Sequence, residues 1–143
     1  MSDTLPAWMR DHVRKCSIAF GIGHAGFLLY VRRVKDLRDG PALTAGQQVS
    51  GDGATSAHYR SATVRFAKQI PPHLRYEVVT HEMLHAAMGD LAEAADLIIA
   101  QLVPEAQRET ALAIWHLGQE QTTTQLARAL APVLQRMQLE EPE

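Results

Sequence analysis

Val78-Val79-Thr80-His81-Glu82-Met83-Leu84-His85-Ala86 is the stretch around which the chain is organised. On a helix the pattern His-Glu-x-x-His has a direct physical meaning. At about 100° per residue, His81 and His85 stand roughly 40° apart on one face, so both imidazoles can close on one ion. Glu82 lies roughly 100° round from His81, where it can reach a water on that ion without being forced to ligate. This is the arrangement of metal-assisted hydrolysis: two neutral imidazoles hold Zn²⁺, the ion lowers the pKa of water toward ~7, and a carboxylate takes the proton. Leu74, Val78 and Met88 fall on the histidine face, and Tyr76, Val79, Met83, Ala86 and Ala87 on the opposite one. A helix apolar on both sides is expected to be buried. Two histidines and a glutamate on such a helix need polar partners, and a metal supplies them.

Working outward, Pro71-Pro72 opens this helix at about His73, and Gly89 is placed to end it after Met88. Upstream, residues 58–67 alternate, with Ala62, Val64 and Phe66 against Tyr59, Thr63, Arg65 and Ala67, which predicts a strand with one apolar face. Residues 39–54, rich in Gly, Ala, Ser and Gln, read as a loop. Residues 17–21 and 26–31 read as two strands joined by a tight glycine turn. Gly21-x-Gly23-x-x-Gly26 matches a dinucleotide fingerprint only formally, since no acidic residue and no βαβ unit follow at the required distance. Arg32, Arg33, Lys35 and Arg38, interleaved with Asp36 and Asp39, read as a solvated strand end. Near the N-terminus, Asp3 or Thr4 caps a short helix with Trp8, Met9, Val13 and Cys16 inward, and His12 is expected on the surface. Downstream, residues 90–103 predict a helix with Leu91, Ala95, Ile98, Ile99 and Leu102 at helical spacing. Pro104 opens another, apolar at Ala111, Leu112, Ile114, Trp115 and Leu117. Gly118 is expected to end or bend it, and residues 119–138 form a last helix that Pro132 kinks.

Catalytic zinc commonly takes three protein ligands and keeps one position open. The pattern with Gly three residues and a ligand six residues after the second histidine fails here, because those positions are Met88 and Leu91. A carboxylate on a later helix remains. The candidates are Glu93, Asp96, Glu105, Glu109 and Glu120, with His116 as a nitrogen alternative. Glu93 and Asp96 require a sharp reversal of the chain. Glu105 and Glu109 read as acids complementing a helix N-terminus. Glu120 follows an apolar run and precedes an amphipathic helix, and is taken as the third ligand. His116, one turn earlier, can ligate, orient Glu120, donate to an oxyanion, or pack beside Trp115.

The strand at 62–67, the helix bearing His81-Glu82-Met83-Leu84-His85-Ala86 and a downstream helix with Glu120 resemble a minimal zincin of the gluzincin type. Such small proteins are common in bacteriophages and prophages, where the second segment often shows a glutamate pair before an apolar helix. This chain has Gln119-Glu120 instead, so only Glu120 can serve. The resemblance covers roughly residues 59–134. It implies an α+β fold of one domain over residues 1–143, with a small twisted β-sheet packed against the His-Glu-x-x-His helix and further C-terminal helices. It also implies that the strand at 62–67 is the edge to which an extended peptide would pair.

The 143 residues, 46% hydrophobic and 21% charged, suit one globular domain. A net charge of −2 and a pI near 6.4 favour neither nucleic acid nor an anionic membrane as partner. The single Cys16 excludes an internal disulfide and reads as a buried or idle thiol. No secretory signal and no run of about 20 apolar residues is legible, so a cytoplasmic protein is expected. The leading expectation is a zinc metallopeptidase acting on a peptide or protein. His81, His85 and Glu120 would be its ligands and Glu82 its general base, with His116, Tyr59 or Tyr76 helping to polarise the carbonyl. The alternatives are a zinc-stabilised binding or structural protein and a hydrolase of a non-protein amide such as cell-wall peptide. Oligomeric state is not legible: the long apolar C-terminal helices suit either one core or a dimer surface.

Overall fold

A computed structural model describes residues 5–22, 28–34, 46–50, 61–67 and 70–139, with strand side chains described only at Val64 and Phe66. Among these residues seven elements follow one another: α1 (Ala7–Ala19), β1 (Leu28–Val34), β2 (Gly46–Ser50), β3 (Ser61–Ala67), α2 (Arg75–Ala87), α3 (Gly89–Leu102) and α4 (Glu105–Arg136). Among the described residues no helix is long and apolar enough to cross a membrane.

The expected α+β class is corrected. Residues 5–22 and 70–139, the stretches whose side chains are continuously described, are 80% helical and contain no strand. Two local outcomes shift the balance. Residues 17–21, expected as strand, continue α1 to Ala19 and then turn. Gly21 takes φ 74, a left-handed conformation that L side chains rarely adopt. The Phe20 and Ile22 amides donate to the carbonyls of Cys16 (2.8 Å) and Ser17 (2.9 Å), closing the helix end. At the other end of the chain, Gly118 neither ends nor splits the helix, and α4 runs 32 residues through it and through Pro132. The histidine helix is consequently clamped mainly by helices, α1 on one side and α4 on the other.

The three strands form a backbone ladder of order β1-β3-β2, in which β1 lies parallel and β2 antiparallel to β3. β2 falls inside the stretch expected to be a loop; the remainder of that stretch lies outside the described residues. β3 is the central strand, so both its edges are already paired. The expectation that residues 62–67 offer an edge to an extended peptide is therefore wrong: a strand paired on both sides has no free ladder of N–H and C=O groups. Val64 and Phe66 are fully buried from β3, in the alternation its sequence shows.

The core gathers Met9, Val13 and Cys16 of α1, Val64 and Phe66 of β3, Val79, Met83 and Ala86 of α2, and Leu134 of α4. Side chains of the size of Met83 and Phe66 each contribute about 1.5–3 kcal/mol when fully withdrawn from water. Polar ties fix the helices in register. Lys15 Nζ donates to the Gln135 carbonyl at 3.1 Å, joining α1 to α4, and Arg128 Nε donates to Glu77 Oε1 at 3.1 Å, joining α4 to α2. The Arg75 guanidinium sits 4.9 Å over the Trp8 ring and 5.0 Å over the Tyr76 ring, fastening the start of α2 to α1.

Candidate metal centre

The two faces of α2 differ. Val79, Thr80, Met83 and Ala86 are buried, whereas Val78, His81 and His85 are only partly covered and Leu74 is exposed. The expectation of a helix buried all round is thus met on one face only. The histidine face opens into a cleft between α2 and α4, and the His81 and His85 side chains keep 16% of their surface there.

Glu120 enters this cleft from α4. Its Oε1 lies 2.7 Å from His81 Nε2 and its Oε2 lies 3.0 Å from His85 Nε2. The two Nε2 atoms are 3.1 Å apart. His81, His85 and Glu120 are the group among the described residues whose ligand atoms lie close enough, within 4.8 Å of one another, to hold a metal ion. They are also the three residues taken as ligands from the sequence.

The donor set fits a zinc ion on two counts. Tetrahedral zinc with ligand distances of about 2.0–2.1 Å places its ligand atoms about 3.3 Å apart, and the contacts of 2.7 Å to Glu120 Oε1, 3.0 Å to Glu120 Oε2 and 3.1 Å between the two Nε2 atoms are of that order. The second count is protonation. A ring nitrogen carries either one proton or one lone pair. If both Nε2 atoms hold protons, both donate to Glu120 and the N···N contact is left unmade. If one is bare, it accepts from the other but sets its lone pair against a carboxylate oxygen. No assignment turns all three contacts into hydrogen bonds, whereas one cation among them satisfies all three. Burial pushes the His85 imidazole below its usual pKa; the Glu120 carboxylate opposes that shift and His81 adds to it. Desolvation thus favours the neutral, ligating form of His85.

Glu82 is buried, with its Oε1 4.0 Å from His81 Nε2. It borders the cluster without entering the ligand triangle, as its angular position on the helix predicts. The rival acids are placed elsewhere. Asp96 pairs with His116 at 3.6 Å, both well exposed, and Glu93, Glu105 and Glu109 are not in the converging group. The continuous α4 does put His116 and Glu120 on one side of the helix, but His116 meets Asp96 there. Of the three proposed carbonyl helpers, Tyr76 faces the other way. Its ring packs edge-on against Trp8 (centroids 5.5 Å apart) and His12 (5.0 Å). Tyr59 lies outside the described residues.

His12 is fully buried and not on the surface as expected. The signal was present: His12 shares the helical face of Met9, Val13 and Cys16. Thr80 Oγ1 donates to the Tyr76 carbonyl at 2.7 Å, so at 2.8 Å it accepts the proton of His12 Nε2. Nδ1 is then a buried lone pair with no hydrogen-bond partner among the described residues. Burial, reinforced by Lys15 and opposed by Asp11, lowers the His12 pKa to about 4. Burial likewise pushes the Cys16 thiol up to about 12, so it is no nucleophile near neutral pH. Sequence reasoning gave Thr80 no role, yet through it the residue next to His81 is anchored to α1.

No family model matches the chain, and no curated protein or solved structure matches it either.

Proposed function

We propose that the chain is a zinc-dependent metallopeptidase in which His81, His85 and Glu120 hold the ion and Glu82 is the general base. The observation that supports this most is the convergence of two imidazoles and a carboxylate from helices 35 positions apart, with a second, buried carboxylate beside them. When bound, zinc supplies the positive charge that acidifies water and polarises a carbonyl. Glu82, held by its burial on the rigid α2, takes the proton of the attacking water and returns it to the leaving amine. His81 and His85, one helical turn apart, would hold the ion from α2, and Glu120 would hold it from α4. Glu120 is 54% exposed, which leaves the cleft open on its side for an extended substrate. The substrate class is a peptide or protein, and the resemblance to small zincins supports that choice over a non-protein amide.

The test is cleavage of an unfolded protein substrate by zinc-loaded wild type and by Glu82→Gln. The expected result is cleavage by the wild type and a loss of about 10²–10⁴-fold in the variant, with zinc content unchanged. Equal cleavage by both would remove Glu82 from the mechanism. Zinc bound by both with cleavage by neither would favour a zinc-stabilised binding protein, the ion then tying α2 to α4. The proposal also places the protein in the cytoplasm of a bacterium or phage-infected host cell, where its one buried thiol needs no oxidising compartment. Recovery of the protein from a periplasmic fraction would contradict that placement.

A further inference from the structure

Helix α3 has no buried residue, yet it is rich in Leu, Ile and Ala. With the first half of α4 it forms an antiparallel hairpin, in which Trp115 and Ile99 are partly covered. The hairpin has two sides. His116 and Asp96, paired at 3.6 Å, mark one of them. Glu120 follows His116 by one turn, so this is also the side of the metal cleft.

The other side is apolar. On α3, Leu91, Ile98 and Leu102 fall within about 40° of one another, with Leu91 about 140° from Asp96. On α4, Ile114 lies about 160° from His116, and Leu117 adjoins it. These five side chains are 56% to 76% exposed. Ile114 and Leu117, with Thr110, Ala113 and Glu109, line an open groove along α4. Asp96, Glu105 and Glu120 follow the metal-cleft side, and Glu109 stands at the rim of the groove, so the charge borders the five apolar residues without lying among them.

We propose that this face is the interface of a homodimer, formed when the α3–α4 hairpins of two copies pack about a two-fold axis into a four-helix bundle. The area argues for a second copy. The five exposed side chains offer roughly 600 Å² per chain, and Ala94 and Thr110 between them bring the face toward the ~800 Å² per partner of a stable interface. The charge pattern argues the same way. With Glu109 at its rim, the strip meets its own copy with no charge at the centre, and interface centres are depleted of charge while their rims are polar. A two-fold axis sets one patch against its own copy, which such a strip satisfies. Two helices cannot cover both of their faces, but four helices around one core can.

The test is the molar mass of the full chain in solution, at micromolar concentration, for wild type, Ile98→Glu/Ile114→Glu and Val133→Glu. Val133 is equally exposed, at 55%, but lies on the far half of α4. The expected result is twice the 15.8 kDa chain mass for wild type and Val133→Glu, and the single chain mass for the double variant. All three should keep the same helical circular dichroism. Should the double variant unfold, Leu102→Glu, at the exposed end of the hairpin, gives the same reading by halving the mass with the helix signal intact. A monomeric wild type overturns the proposal, whether another protein or the chain's own residues cover the face. So does a dimer that survives the substitutions while folded.

Discussion

The two faces of α2 both bring imidazoles against polar groups, and they do so to opposite ends. On the open face, His81 and His85 point their Nε2 atoms at one another and at Glu120, and no placement of protons satisfies all three contacts. On the buried face, His12 of α1 gives one proton to Thr80, and Thr80 passes its own to the Tyr76 carbonyl. That chain is directional and complete except for Nδ1, and it needs no ion. A histidine near polar groups is therefore not by itself a sign of a metal site. What distinguishes the open face is convergence: two ring nitrogens and a carboxylate lie close enough for one ion, and their contacts compete for protons that cannot all be accommodated. Thr80 and His81 are neighbours in sequence, so one helix carries the anchor and the cluster at a 100°-or-so offset.

Substitutions that touch one face of α2 and spare the other separate the two roles. The largest effect belongs to Glu82→Gln, which on the account above removes cleavage by about 10²–10⁴-fold without removing zinc. On the buried face, Met83→Ala leaves a cavity in the core shared with α1 and β3 and is expected to cost about 2–5 kcal/mol, read from urea denaturation. Its zinc stoichiometry should stay that of the wild type; a loss of zinc would mean that the two faces are not separable.

The next effect is a pH dependence. His12 titrates at about 4 in the folded chain and near 6.5 when free. Between those values the unfolded chain holds a proton that the folded chain rejects. The contribution of His12 is therefore fully present above pH 6.5 and is lost as the pH falls toward 4, by about 3 kcal/mol in all. Denaturation of metal-free protein across that range, for wild type and His12→Gln, should show a steeper loss in the wild type. Parallel curves would mean that His12 is not held neutral by the fold. The smallest effect is expected at Asp96→Asn. The exposed Asp96–His116 pair at 3.6 Å should change stability by less than about 0.5 kcal/mol and leave zinc binding untouched. A clear drop in zinc affinity there would extend the site to His116.

Much of the open face was legible in the sequence because its logic is local. The i, i+4 spacing of His81 and His85 is set by the helix alone, and Glu120 stands out by its place after the apolar run at 111–117. The buried face was harder to see because it depends on contacts across 68 positions, from His12 to Thr80. Helical spacing put His12 with Met9 and Val13, but its polarity suggested solvent. The end of α1 was misplaced because Ser17 and Ile18 suit a strand as well as a helix, and the Gly21 turn decides between them. β3 was recognised as a strand but taken as an edge, since neither partner strand is encoded within it. Leu91, Ile98 and Leu102 were read only as apolar residues at helical spacing. Periodicity shows that a helix has an apolar stripe and not what covers it, and in the structure the three are exposed.

The central claim is that His81, His85 and Glu120 form one metal site. It is tested most directly by zinc content, measured by elemental analysis of wild type and Glu120→Ala purified without added metal and after reconstitution. About one zinc per chain is expected in the wild type, with binding lost or weakened in the variant. A reconstituted wild type that holds no zinc would contradict it and would leave His81 and His85 as two histidines of a helical scaffold.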